Sequence, residues 1–152
     1  MTQAADPFTI EEYVRWSDVD AAGIVCYGAF VRFVELAETE LFRSAGMAYG
    51  EVFERFDCWL PRVHFSCDFH APARLDERLR LSAWVDRLGN SSVTLSFAID
   101  NTAGVRIADF RVVLVCLDRK TFSPRPLPGE LRSALCGYLR EPQAGADLSG
   151  RG

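Results

Sequence analysis

Apolar positions recur along this chain with two different periods, and the change falls at Cys58. Ahead of it, Phe30, Phe33, Val34, Ala37, Leu41 and Phe42 return at intervals of three and four residues, which gathers them on one stripe of a helix over residues 28–45. Arg32, Glu38 and Arg43 fall mainly on the other side, and Gly46 is a natural stop. The stripe is wide and aromatic, so the spacing predicts a largely buried helix. A strand over residues 8–16, with Phe8, Ile10, Tyr13 and Val14 in imperfect alternation, precedes it, and a shorter helix or turn follows at about 48–56.

After Cys58 the period becomes two. Leu79, Leu81, Ala83 and Val85 alternate with Arg78, Arg80, Ser82 and Trp84, and Val93, Leu95, Phe97 and Ile99 alternate with Thr94, Ser96 and Ala98. Residues 59–70 are rich in aromatic and β-branched types and close at Ala71-Pro72-Ala73, and residues 105–117 form a long apolar strand. Turns are marked at Leu88-Gly89-Asn90 and Asn101-Thr102-Ala103-Gly104, a loop by Pro124, Pro126 and Pro128, and a terminal helix is expected over Glu130–Leu139. Strands joined by short turns pair antiparallel, and one buried helix laid on such a sheet satisfies both patterns. The strand after Cys58 enters that sheet away from its hairpin-linked neighbours. The expectation is an α+β domain over residues 1–141, followed by a flexible polar tail at 142–152.

Composition narrows the class. The 152 residues are 49% hydrophobic and 25% charged, ordinary for a soluble globular domain with a real core. A net charge of −4 argues against nucleic-acid binding through a basic surface. Five cysteines, an odd number without CxxC spacing, read as free thiols of a reducing compartment. MTQAADPF lacks the regions of a secretory signal, and no apolar run approaches the roughly 20 residues that span a bilayer. The expected location is the cytoplasm.

The chemistry lies between Trp16 and Phe30, where Asp18, Asp20 and Gly23 stand directly ahead of the long helix. A helix start offers unpaired N–H groups and a positive dipole end. A carboxylate beside it can attack, or activate water against, a carbonyl whose oxygen those groups receive. Read blandly, both aspartates are loop and cap residues. His64 and His70 are the only histidines, and their spacing puts them on one strand face with Cys67 on the other, so a metal site lacks ligands. Cys26 has no histidine near it in sequence and reads as an inert thiol. Glu35 is the rival carboxylate, about two turns into the helix and too far along to share its N-terminal N–H groups.

Asp18-x-Asp20-x-x-Gly23-Ile24-Val25-x-Tyr27-x-x-Phe30, with Arg32-Phe33 and Glu35, resembles the start of 4-hydroxybenzoyl-CoA thioesterase-type hotdog proteins. Asp68-Phe69-x-Ala71-Pro72-Ala73-x-x-Asp76-Glu77-x-Leu79 and Gly89-Asn90-Ser91-Ser92-Val93 are similar to that family's later segments, in order, so the resemblance spans roughly residues 10–120. It implies a hotdog fold, in which a five-stranded antiparallel sheet wraps the long helix, and dimers or tetramers (a homotetramer among them) with active sites at subunit interfaces. It implies acyl-CoA thioester hydrolysis without metal or cofactor. Asp20 falls at the catalytic carboxylate, the backbone of Tyr27 and Gly28 at the oxyanion hole, and Asp18 is expected to be structural.

The acyl pocket is expected to be lined by Gly23, Val25, Tyr27 and His64. Tyr27 stands where short-chain relatives often carry histidine, which leans the substrate toward an aromatic or bulky acyl group. The family's adjacent phosphate-binding arginines are missing from Asp86-Arg87-Leu88-Gly89-Asn90, leaving Arg62, Arg74 and Arg87 as candidates for the CoA phosphates. The alternative is a hotdog module that binds an acyl-CoA or acyl-carrier thioester without turning it over. A hotdog dehydratase fits less well, because its His/Asp signature on the helix is missing.

Overall fold

A computed structural model describes residues 6–140, so the expected tail at 142–152 lies outside the described residues. In chain order the elements are β1 (Phe8–Tyr13), α1 (Phe30–Ser44), α2 (Tyr49–Phe56), β2 (Cys58–Trp59), β3 (Arg62–Phe69), β4 (Arg78–Leu88), β5 (Ser92–Asn101), β6 (Arg106–Val115), β7 (Leu117–Asp118) and α3 (Gly129–Cys136). Short 3-10 turns at Trp16–Asp18 and Tyr27–Ala29 lie between β1 and α1.

The main sheet has five strands in the order β1-β4-β5-β6-β3, with every neighbour antiparallel. This is the hotdog arrangement, with β3 placed at the far edge beyond the β4-β5-β6 meander. β2 pairs instead with β7, in a two-stranded ribbon set off from β3 by Pro61.

The register fixes two faces. Pairs such as Leu81↔Ile99, Phe97↔Phe110 and Leu95↔Val112 place the alternating apolar residues on one side, and α1 packs there. Phe33, Leu41 and Phe42 of α1 are fully buried, each burial contributing about 2 kcal/mol against exposure. Phe30, at the front of α1, stacks within 5.8 Å of Phe110 and 5.2 Å of Phe69, tying the helix start to the β6–β3 edge.

Five sequence expectations change. β1 stops at Tyr13 because the Arg15 N–H donates to the Asp18 carboxylate at 2.7 Å, which turns the chain. The α-helix begins at Phe30, two residues later than expected, with Tyr27–Ala29 forming a tighter turn in front. The long strand after Gly104 divides into β6 and β7, and the terminal helix ends at Cys136. Glu38 is not on the polar side of α1 but buried, at 2% exposure, because it lies four residues beyond Val34 and three before Leu41.

Candidate active site

The segment from Asp18 to Cys26 folds as a small hairpin. Val19 bridges Val25, the Cys26 N–H donates to the Asp18 carbonyl at 2.8 Å, and the Asp20 N–H donates to Ile24 O at 3.0 Å. At its tip the Gly23 N–H returns to Asp20 O at 2.9 Å. Gly23 takes φ +74, the left-handed region where a side chain is strained, so glycine fits the turn. A second contact seats the hairpin on the sheet connection, where Val25 N–H donates to Ala73 O and Ile24 bridges Arg74.

The two aspartates are separated by their surroundings. Asp18 is buried and receives both arms of Arg32, from α1: Nε reaches Oδ1 at 2.9 Å and a terminal nitrogen reaches Oδ2. The same guanidinium touches Glu12 at 3.3 Å, and Arg15 closes the cluster on Glu12 at 2.7 Å. Burial pushes the Asp18 carboxyl up, but Arg32 and the Arg15 N–H outweigh it and hold the group below the usual carboxylate range. Arg32 is raised in return, chiefly by its hydrogen bond to Asp18. A bidentate fork of this kind fixes position as well as charge, and here it clamps the foot of the hairpin to the first turn of α1.

Asp20 faces solvent. Its Oδ1 accepts the Ala22 N–H at 2.8 Å, which orients the carboxylate, and its Oδ2 takes no partner among the described residues. Beyond the hairpin the Ala29 N–H donates to Cys26 O, and the Phe30 N–H to Gly28 and Tyr27 carbonyls. Among the described residues the Tyr27 and Gly28 N–H groups have no acceptor, and the Tyr27 side chain is 81% exposed. One oriented carboxylate with an unpartnered oxygen and two open donors ahead of a helix together suit addition to a carbonyl.

The other expected pocket residues divide. Gly23 is exposed at the tip, whereas Val25 is buried core and its N–H is engaged. His64 registers with Val113 on the face opposite the helix, and Phe65, opposite Val112, is on the helix-facing side. His70 shares the outer face, with Nε2 2.7 Å from Asp109. Arg74 is exposed beside the hairpin, and Arg87 is exposed near the tip of the β4–β5 turn. Arg62 is committed elsewhere, to the Glu38 carboxylate. Cys26 is half-buried, and all five cysteines are free. Among the described residues no three potential metal-ligating side chains gather.

A groove of about 440 Å³ runs along the exposed flank of α1 between the helix and β3, bordered by Val31, Val34, Glu35, Phe65 and Val112. Glu38, Thr39, Tyr49, Phe53 and Arg62 complete its lining. Glu38 Oε1 accepts the Tyr49 hydroxyl at 2.5 Å and the Arg62 guanidinium, which also lies 5.4 Å over the Tyr49 ring. Burial pushes the Tyr49 phenol up, keeping it a donor. It pushes Arg62 down, against the attraction of Glu35. Helical spacing alone would have drawn attention to Glu38, but its partners come from α2 and β3.

Comparison with known proteins agrees with this architecture. The family model described as the thioesterase-like superfamily matches residues 14–135. An acyl-CoA thioester hydrolase, YbgC, of Escherichia coli is 28% identical over 115 residues, covering 76% of this chain and 85% of that protein. A 1,4-dihydroxy-2-naphthoyl-CoA hydrolase of Thermosynechococcus vestitus is 27% identical over 136 residues, covering 85% and 93%. The crystal structure of a 1,4-dihydroxy-2-naphthoyl-CoA thioesterase from Synechocystis superposes with a TM-score of 0.80 at 26% identity, covering 85% of this chain and 95% of that one.

Proposed function

The chain belongs to the thioesterase-like superfamily, and on that premise we propose that it hydrolyses acyl-CoA thioesters, with aromatic or other bulky acyl groups favoured, through Asp20. The observation that carries the reading is the exposed Asp20 carboxylate, held on a hairpin that Asp18 and Arg32 clamp to α1, together with the open Tyr27 and Gly28 N–H groups of the turn that leads into that helix. The thioester carbonyl oxygen accepts from Tyr27 and Gly28, which takes up the negative charge that grows on it. Asp20 either attacks the carbonyl carbon or draws a proton from an attacking water. In the first case the C–S bond breaks to leave a mixed anhydride on Asp20 and a CoA thiolate that takes a proton from water, and a second water hydrolyses the anhydride to the free acid. In the second the hydroxide adds to the carbonyl, the C–S bond breaks to give the free acid, and the proton held by Asp20 passes to the CoA thiolate. Gly23 leaves the approach open, and Tyr27 borders the acyl group.

Arg74, bridged through Ile24 to the hairpin, is the basic residue favoured for a CoA phosphate, with Arg87, exposed near the β4–β5 turn, the second candidate. The relatives named for 1,4-dihydroxy-2-naphthoyl-CoA support the aromatic preference. The active form is a homo-oligomer, dimer or tetramer. Supporting this, β3 is an edge strand with Val63, Phe65 and Phe69 exposed at 61%, 45% and 51%, and Trp16, Tyr27 and Val31 are exposed beside the helix start. No helix among the described residues is long and apolar enough to cross a membrane. Free cysteines suit a cytoplasmic setting.

The test is thiol release from a panel of aroyl- and alkyl-CoA substrates. Asp20→Asn, nearly isosteric, should lower kcat by about 10²–10⁴-fold with unchanged thermal stability. A full rate in Asp20→Asn would remove Asp20 from the reaction. Saturable binding without hydrolysis across the panel would instead identify a thioester-binding module.

A further inference from the structure

Every group that the proposed hydrolysis brings to the reacting carbonyl lies on one short stretch of chain, and one side-chain contact closes that stretch at its base. Asp20 sits just after Asp18, and Tyr27 and Gly28 follow the hairpin on its other side. Arg32, in the first turn of α1, returns to Asp18 with Nε 2.9 Å from Oδ1 and a terminal nitrogen on Oδ2. Among the described residues no other hydrogen bond joins the hairpin to α1. The Asp18 carbonyl accepts the Cys26 N–H at 2.8 Å, so the residue that receives the fork also carries the rung from which the two halves of the site diverge. The same guanidinium reaches Glu12 at 3.3 Å and the Tyr13 carbonyl at 3.4 Å, which holds the base of the loop to the end of β1 as well. Asp18 is only 3% exposed, so water is a poor replacement for the fork.

We infer that Arg32 is a positioning residue for the hydrolysis: by gripping Asp18 it sets the Asp20 carboxylate against the Tyr27 and Gly28 N–H groups, without itself touching substrate. This role rests on the proposed hydrolysis, in which the carboxylate and the two donors meet one carbonyl. A displacement of about 1 Å between reacting groups costs roughly 100-fold in rate. The contact works through its shape. Two N–H···O bonds from one planar group fix the angle as well as the distance between hairpin and helix, which the point charge of a lysine does not. Charge alone is therefore insufficient, and loss of the fork appears in turnover rather than in substrate binding.

Arg32→Lys keeps the charge and loses the fork. It should lower kcat on the best CoA thioester of the panel by about 10- to 100-fold, with KM changed less than about threefold. The double variant with Asp20→Asn shows whether the loss runs through Asp20. Added to Asp20→Asn, Arg32→Lys should change the remaining single-turnover rate by less than about twofold, since no carboxylate is left to position. Partial unfolding of Arg32→Lys lowers the rate in both backgrounds by the same factor, so the difference between backgrounds is free of it. Amide exchange at Asp20 and Cys26, whose N–H groups bond within the hairpin, should also quicken in Arg32→Lys while the β4–β5 ladder is unchanged. An unchanged kcat, an equal loss in both backgrounds, or unchanged exchange at those two amides overturns the inference. Asp20→Asn at full rate overturns the hydrolytic role of Asp20 and this one with it. A rate lost in Asp20→Asn but kept in Arg32→Lys leaves the hydrolytic reading standing and removes Arg32 alone.

Discussion

Asp18 and Asp20 carry the same group two residues apart and are put to opposite uses. Asp18 is buried under a two-pronged contact with Arg32, whereas Asp20 keeps an oxygen open to solvent. Removing the Asp18 carboxylate leaves Arg32 without its main partner and frees the hairpin foot. Asp18→Ala should destabilise the protein by about 2–3 kcal/mol in urea unfolding, since charged hydrogen bonds are lost. The folded-state pKa of Asp18 is lowered, so its stabilisation is complete above the ordinary value of 3.8 and lost as pH falls through the lower folded value. The acid limb of a stability–pH curve should therefore flatten in Asp18→Asn, with a remainder from Glu12, which is also lowered, against its own burial, by Arg15 and Arg32. A limb of unchanged slope would contradict the assignment. The sequence separated these residues only through the resemblance; nothing local to them tells which is buried, because the deciding partner, Arg32, is fourteen positions away. Glu38, likewise, carries a charge that suggests the polar side of the helix and a spacing that belongs to the buried stripe, where the structure places it.

At the scale of elements, the hairpin and the 3-10 turn prepare the helix start. Cys26, at φ −65 and ψ 140, is extended, a conformation that a following proline accepts. Tyr27→Pro should therefore be tolerated in the fold while deleting one of the two open N–H groups. We expect kcat to drop by about 10²–10³-fold relative to Tyr27→Ala, the control for the lost side chain. Equal rates in the two variants would take the Tyr27 N–H out of the oxyanion hole. The main elements were legible because period and element coincide: α1 and the β4-β5-β6 meander each carry a sustained stripe. Their ends were less legible. β1 terminates at a side-chain cap from Asp18, whose carboxylate Arg32 holds in place from fourteen positions away, and β7 separates from β6 to pair with β2, some sixty residues earlier in the chain. Strand spacing gives only the relative faces of His64 and its neighbours, and the pairing with Val113 says which face meets the helix.

For the whole molecule, the edge of β3 and the aromatic groups around it form a side that is uncovered among the described residues. A bare, apolar edge strand is an invitation to pair with another chain. Sedimentation should find a dimer or tetramer, and Val63→Lys, a charge placed at a residue 61% exposed, should shift it toward monomer with little change in unfolding free energy. A monomeric native protein would contradict the proposed assembly. From sequence alone came what repeats locally or is carried by contiguous motifs: the buried helix, the alternating strands, the acidic loop ahead of α1 and its resemblance to thioesterases. Tertiary structure alone decided which carboxylate is clamped, which strand face meets the helix, and that Glu38, Tyr49 and Arg62 converge in the lining of a groove. The physical reason is common to all three. Periodicity records how each segment divides between apolar and polar sides, whereas a buried charge is settled by partners from other segments that only the folded chain brings within hydrogen-bonding distance.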